Sequence, residues 1–354
     1  MKKQWRGAPA LRPRSILLAI AAVIGLGGLA AGLTRLGVWS PVTGARLADH
    51  HGTLMVLGFV GTLAGLEAAK GRWRYVAPAG TLFASIALMA GAPLPLAAGT
   101  YVAAMVILMG AYVADSRLIE ALGAGAGAGA AVLLCRDVAP EDIALWWVSF
   151  VVLIVVGTID HALRDDERAF WGALAVLVAT AWSAIAASGT RALGACLLAL
   201  VGLALAGNRR AVGAESTPSP EKTLSPGDKL SPEEGPHAAT ITSSGNVMLG
   251  ILSGYLWVVV AAGVLLLADD WRTGYDIVIQ AIMLGFLGSM ILARVPDAAL
   301  TRRTLVPLLL LDSGVIIRII GTLTGSVSAM RAGVIAAAFG FLAILVIALR
   351  QENT

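Results

Sequence analysis

Apolar residues run through this chain in long blocks, with polar residues gathered in short patches between them. A helix needs roughly 17–25 apolar residues to cross about 30 Å of hydrocarbon. Twelve blocks read as such spans: 16–34, 52–69, 75–91, 95–114, 118–135, 143–159, 169–188, 192–207, 246–267, 275–293, 305–321 and 332–349. In lipid every backbone N–H and C=O must pair within its own segment, so these blocks are expected to be helices. The predicted fold is an all-α membrane protein of about twelve transmembrane helices.

Composition supports that reading. Of 354 residues, 58% are hydrophobic and 14% charged, against roughly 45–50% and about 25% in a soluble domain. Mean hydropathy is +0.82. A disordered tail, a collagen-like fibre and a disulfide scaffold are excluded, the last because there are two Cys. The net charge of +4 does not point to nucleic acid, because the 26 Lys and Arg are scattered through short loops. With the amino terminus inside, 19 of them fall in cytoplasmic segments and 6 in outer loops. That bias predicts cytoplasmic termini and a multi-pass protein of the cell inner membrane. Residues 1–34 also have the outline of a secretory signal, but an apolar stretch of about 18 residues exceeds the usual h-region of about 7–15, which favours a retained helix.

The domain layout follows: a basic segment 1–15, helices over 16–207, a linker over 208–245, helices over 246–349 and a tail 350–354. The stretch AVGAESTPSPEKTLSPGDKLSPEEGPHAAT (211–240) carries no apolar periodicity and is expected to be a disordered cytoplasmic tether. It leaves eight helices before it and four after, unlike the equal halves of many secondary transporters. A soft internal repeat is also visible. Leu57-Gly58-Phe59-Val60-Gly61-Thr62 echoes Leu284-Gly285-Phe286-Leu287-Gly288-Ser289, and Asp49 and Asp276 each precede the first Gly by nine residues.

Few side chains could carry chemistry. His50 and His51 open the second span, beside Gly58, Gly61 and Gly65. They could ligate a metal through a neutral ring nitrogen, or cap the helix together with Asp49. His161 and His237 read as solvated, and no HExxH or C-x-x-C occurs. Asp312 and Arg318 lie inside the eleventh span, where a charge costs at least roughly 2.5–3.5 kcal/mol, so each should face the bundle interior with a partner. Six residues apart, they point in different directions and are poor partners for each other. Asp312 suits a proton path or a structural ion pair; Arg318 suits snorkelling or an anionic cofactor group. Glu67 reads as a surface partner of Lys70. The alternating glycines Gly123, Gly125, Gly127 and Gly129 suit close helix packing. Trp residues 5, 39, 73, 146, 147, 171 and 271 suit an interfacial belt.

The stretch DHHGTLMVLGFVGTL (49–63), then YDIVIQAIMLGFLGSMILARV (275–295) and TRRTLVPLLLLDSGVIIRII (301–320), resembles the NnrS-like membrane proteins. The resemblance is best over 46–70 and 250–320. It implies a twelve-helix bundle similar in layout to the catalytic subunit of haem–copper oxidases, and an association with haem and copper and with bacterial tolerance of nitric oxide. His51 matches the family's His at the start of helix 2; Arg294 and Arg318 match its Arg positions. Where the family has a His before the helix 10 Gly-Phe segment, this chain has Gln280, and the His of the following loop is absent. Amides are poor iron ligands, so a bis-His haem is not implied, and copper chemistry needing three more His is not expected.

The expectation is therefore a haem-associated membrane protein linked to nitric oxide or respiratory stress, with His51, His50, Gln280 and Arg318 as candidate cofactor residues. The alternatives are a permease using Asp312, and a cofactor-less structural subunit with membrane partners. With no nucleophile–base pair and no phosphate loop in view, an enzyme is not expected. The bilayer is the expected partner and nucleic acid is not.

Overall fold

The computed structural model describes residues 13–38, 47–68, 75–159, 163, 166–186, 188–215, 238–268, 271–294 and 302–351. Among these residues the chain forms twelve helices and no strand. They are α1 (Pro13–Arg35), α2 (His51–Ala68), α3 (Val76–Met89), α4 (Leu94–Ala114), α5 (Leu118–Cys135) and α6 (Pro140–Ile159). The series continues with α7 (Glu167–Ser183), α8 (Ser188–Glu215), α9 (Ala238–Leu267), α10 (271–293), α11 (Arg302–Thr324) and α12 (Val327–Gln351). Each coincides with one apolar block. Ten are long and apolar enough to cross a membrane; α3, at 14 residues, and α7, at 17, are shorter. The chain has the architecture of a multi-pass membrane protein.

Local signals set the helix ends. Asp166 accepts a hydrogen bond from the Arg168 N–H at 2.9 Å and so satisfies one of the donors left open at the start of α7. Pro140 begins α6, with Glu141 and Asp142 in its first turn, where the missing N–H costs nothing and the dipole favours acid. The turns after α3 and α11 place Gly91 and Gly325 at φ of 90° and 68°, a conformation that a Cβ would strain.

Helical backbone extends beyond the expected spans at the linker, through Glu215 in α8 and from Ala238 in α9. The middle of the expected tether, with His237, lies outside the described residues, as do residues 1–12, Lys70, His161 and 352–354.

The bundle is centred on α2, α6 and α10, whose spans are 78%, 83% and 78% buried, while every other span is buried over little more than half its length or less. α2 lies between α1 and α3, with Gly25 against Phe59 and Gly58 against Ser85. α10 lies in the same way between α9 and α11, with Gly254 against Met290 and Gly288 against Leu311. α12 closes back onto α1 and α2. Arg331 Nε donates to the Leu36 carbonyl at 2.9 Å, and the rings of Phe59 and Phe341 meet edge to face at 6.0 Å. The glycine run of α5 packs as expected: Gly123 lies against the Ile154 backbone and Gly127 against Phe150 and Met105.

The repeat has a structural counterpart. Both central helices widen to π geometry in the echoed segments, Leu54–Val60 in α2 and Ala281–Phe286 in α10. The Gly61 N–H reaches the Val56 carbonyl, and the Leu287 N–H reaches that of Ile282, five residues back in each case. Such widened turns recur at functional sites.

Close contact between α11 and α12 rests on glycine. A Cβ on Gly340 would lie 2.8 Å from the Leu311 Cα and 2.8 Å from the Pro307 carbonyl, whereas one on Gly110 would meet nothing within 4 Å. Gly340→Ala is expected to destabilise the protein by about 1–3 kcal/mol. Gly110→Ala should be neutral or stabilising by up to about 1 kcal/mol. Denaturant titration of the detergent-purified protein measures both, and equal effects would disprove the packing argument.

Candidate functional site

A cavity of about 370 Å³ opens where α2 and α10 begin, walled also by α1, α6, α11 and α12. His51, Gln280 and Arg318 all line it. The three are remote in sequence, and the fold brings them together because α2 and α10 start at the same end of the bundle as that at which α11 finishes. His50 precedes α2 with φ of −106° and makes no side-chain cap bond; it is not among the cavity's lining residues. Asp49 is exposed.

The His51 imidazole is oriented by its own chain. Its Nδ1 lies 2.9 Å from the Ala48 carbonyl. A carbonyl only accepts, so Nδ1 carries the proton, and in the neutral ring Nε2 keeps its lone pair. This arrangement readies a histidine for a metal: the backbone bond fixes ring plane and tautomer and leaves the other nitrogen to coordinate. Glycines let the wall approach closely. Gly32 of α1 sits against the His51 ring, and a Cβ on Gly52 would come within 2.8 Å of Trp147, which lies across from it on α6. Among the described residues no group of three or more His, Cys, Asp and Glu is placed to hold a metal ion.

Arg318 is 6% exposed and finds its partner on α10, not on its own helix. Its Nη2 donates to Asp276 Oδ1 at 2.6 Å, and the Thr322 hydroxyl donates to Asp276 Oδ2 at 3.0 Å. The expectation that Asp312 does not pair with it holds. Arg318 Nε and Nη1, and Trp147 Nε1, are buried with no hydrogen-bond partner among the described residues. Arg35 and Tyr275 complete the polar part of the lining; the remainder is apolar, chiefly Met55, Val56, Ile279, Met283 and Leu284.

Asp312 sits apart, beside a cleft bordered by the exposed Leu256, Ile316 and Ile320. Its oxygens accept from Trp257 Nε1 at 2.8 Å and from the Ser253 hydroxyl at 3.0 Å. Both donors belong to α9, so this carboxylate ties α9 to α11, and a hydrogen-bonded tie stands in place of the structural ion pair.

At the opposite ends of the central helices, Glu67 pairs with Arg294 at 3.2 Å, and Arg294 also donates to the Thr158 carbonyl of α6 at 3.0 Å. The expected partner of Glu67 was Lys70, which lies outside the described residues; the structure supplies Arg294 instead, at the position that matches Glu67 in the repeat. Three features escaped sequence reasoning. Trp147, read as an interfacial residue, is 3% exposed and lines the cavity. Asp276 was singled out for the repeat but not as the counter-charge of Arg318. Arg117 and Glu120 form a buried pair at 2.8 Å, which their i,i+3 spacing could have revealed.

A family model described as Domain of unknown function (DUF8744) matches residues 14–352, close to the whole chain. No curated protein and no solved structure matches.

Thr322 and Asp276 make unequal contributions to this site. Thr322→Val removes one hydroxyl while the ion pair persists, and should cost about 0.5–1.5 kcal/mol. Asp276→Ala strips a buried guanidinium of its counter-charge and should cost on the order of 3 kcal/mol. Equal losses in denaturant titrations would show that Asp276 does not neutralise Arg318.

Proposed function

The chain belongs to the DUF8744 family, and we propose that it binds haem in the cavity at the starts of α2 and α10, with His51 Nε2 as the nitrogen that would hold the iron. The observation that carries this reading is the convergence of His51, Gln280 and Arg318, which lie on three different helices, upon one cavity. Its volume of about 370 Å³ falls within the roughly 300–1,000 Å³ of small-molecule and cofactor sites. The walls are largely apolar, as a macrocycle needs.

The residues suit the group in the following way. The Ala48 carbonyl holds the His51 ring in the tautomer that can ligate iron. Gly28, Gly32 and Gly52 let Met55, the His51 ring and Trp147 pack directly against the backbone of the wall. Bound haem would supply an iron able to take a diatomic gas, and the His51 imidazole would hold it. This agrees with the resemblance to NnrS-like proteins and supports a role in nitric oxide or respiratory stress, exercised from the inner membrane with both termini cytoplasmic. Asp312, on which the permease alternative leans, is accounted for by its bonds to Trp257 and Ser253 outside the cavity.

The test is the absorption spectrum of full-length protein purified in detergent after expression with ample haem. The wild type is expected to show a Soret band that His51→Ala loses and Asp312→Asn retains. A colourless wild type would falsify the proposal, and so would a band indifferent to His51→Ala.

A further inference from the structure

We infer that Arg318 and Trp147 form a carboxylate-recognition subsite in this cavity, for an amphiphile whose apolar body lies against α2 and α10. The inference deepens the haem reading and rests on it for the nature of the apolar body; the acid-binding argument stands on the donors themselves.

Arg318 is almost fully buried, and its partner among the described residues, Asp276, engages one of its nitrogens. One carboxylate oxygen of Asp276 takes Arg318 Nη2 and the other takes the Thr322 hydroxyl. That leaves Arg318 Nε and Nη1 with nothing to donate to, and Trp147 Nε1 likewise. Both side chains line the same cavity. A buried donor without an acceptor is costly, and more so when it is charged, so such groups in a native fold normally serve a ligand or an ordered water.

Charge decides which ligand suits them. Among the lining side chains Arg35 and Arg318 carry one more charge than Asp276 when His51 is neutral; Glu141 stands nearby outside the lining. Water can satisfy a donor but cannot balance that charge. A carboxylate does both: it accepts at two oxygens and makes charge-assisted bonds to a guanidinium. The Arg318–Asp276–Thr322 chain fixes the guanidinium at the cavity wall. The chemical class that fits is an amphiphilic carboxylic acid, and a porphyrin with its propionates is one.

Metal-free protoporphyrin IX and its dimethyl ester separate the acid from the iron, since they share a ring and differ in whether the carboxylates are capped. Binding to the full-length protein in detergent can be followed by quenching of tryptophan fluorescence, with partition into empty micelles subtracted. The acid is expected to bind about tenfold more tightly than the ester. Arg318→Gln should abolish that preference, Arg318→Lys should keep part of it, and His51→Ala should leave it unchanged. Equal binding of acid and ester, no binding of the acid, or a preference that survives Arg318→Gln overturns the subsite. The comparison on wild-type protein needs no variant, so a misfolded Arg318→Gln leaves the test intact. A His51-dependent Soret band without acid preference overturns the subsite alone. Acid preference without haem uptake supports the subsite and overturns only the haem reading.

Discussion

A polar side chain inside an apolar bundle has no water to return to, and an unmet hydrogen bond there costs several kcal/mol. Polar residues in this protein are accordingly arranged as ties between helices. Thr62 meets Thr81 at 2.9 Å and Ser85 meets Tyr101 at 2.7 Å, joining α2 to α3 and α3 to α4. Ser149 meets Thr180 at 2.5 Å, joining α6 to α7, and Asp312 joins α11 to α9. Tyr112 reaches the Ala64 carbonyl at 3.1 Å from α4. Against that habit of pairing, Arg117, Arg318 and Trp147 keep buried donors with no partner among the described residues, and the last two line one cavity.

The same constraint explains how much of the molecule could be read from its sequence. Helices are legible because lipid removes the alternatives: an apolar block of sufficient length must satisfy its backbone internally, and twelve blocks yield twelve helices. Site residues are legible where chemistry is scarce. With four His in 354 residues, His51 stands out, and a charge at position 318 stands out for its cost. Which residue meets which is another matter. Asp276 and Arg318 are 42 residues apart, and Glu67 and Arg294 are 227 apart. Neither pairing follows from any helical period, because each depends on which helices end at the same depth. Trp147 was misread for a related reason: nearness to a helix end suggests an interfacial position, whereas α6 is the most buried span of the bundle.

The echo between α2 and α10 began as a likeness of small and apolar residues. In the fold it becomes a likeness of place and shape. Each of the two helices lies between a preceding and a following partner, each widens over the echoed segment, and each contributes one member of the Glu67–Arg294 pair. The aspartates are not equivalent in role, since Asp276 neutralises Arg318 while Asp49 is exposed. Duplicated packing thus carries an unduplicated site.

The widened segments also govern angular register. One surplus residue in a helix amounts to about 100° of azimuth, so His51 and Glu67, at opposite ends of α2, owe their relative bearing to the π turn between them. Excising one residue from 54–60 would let the rod relax to regular winding with both ends at their present bearing, whereas regular winding of all the residues present would swing one end about 100° against the other. Because α10 carries a matching offset, the two rods stay in step as drawn and would lose synchrony if either were regularised alone.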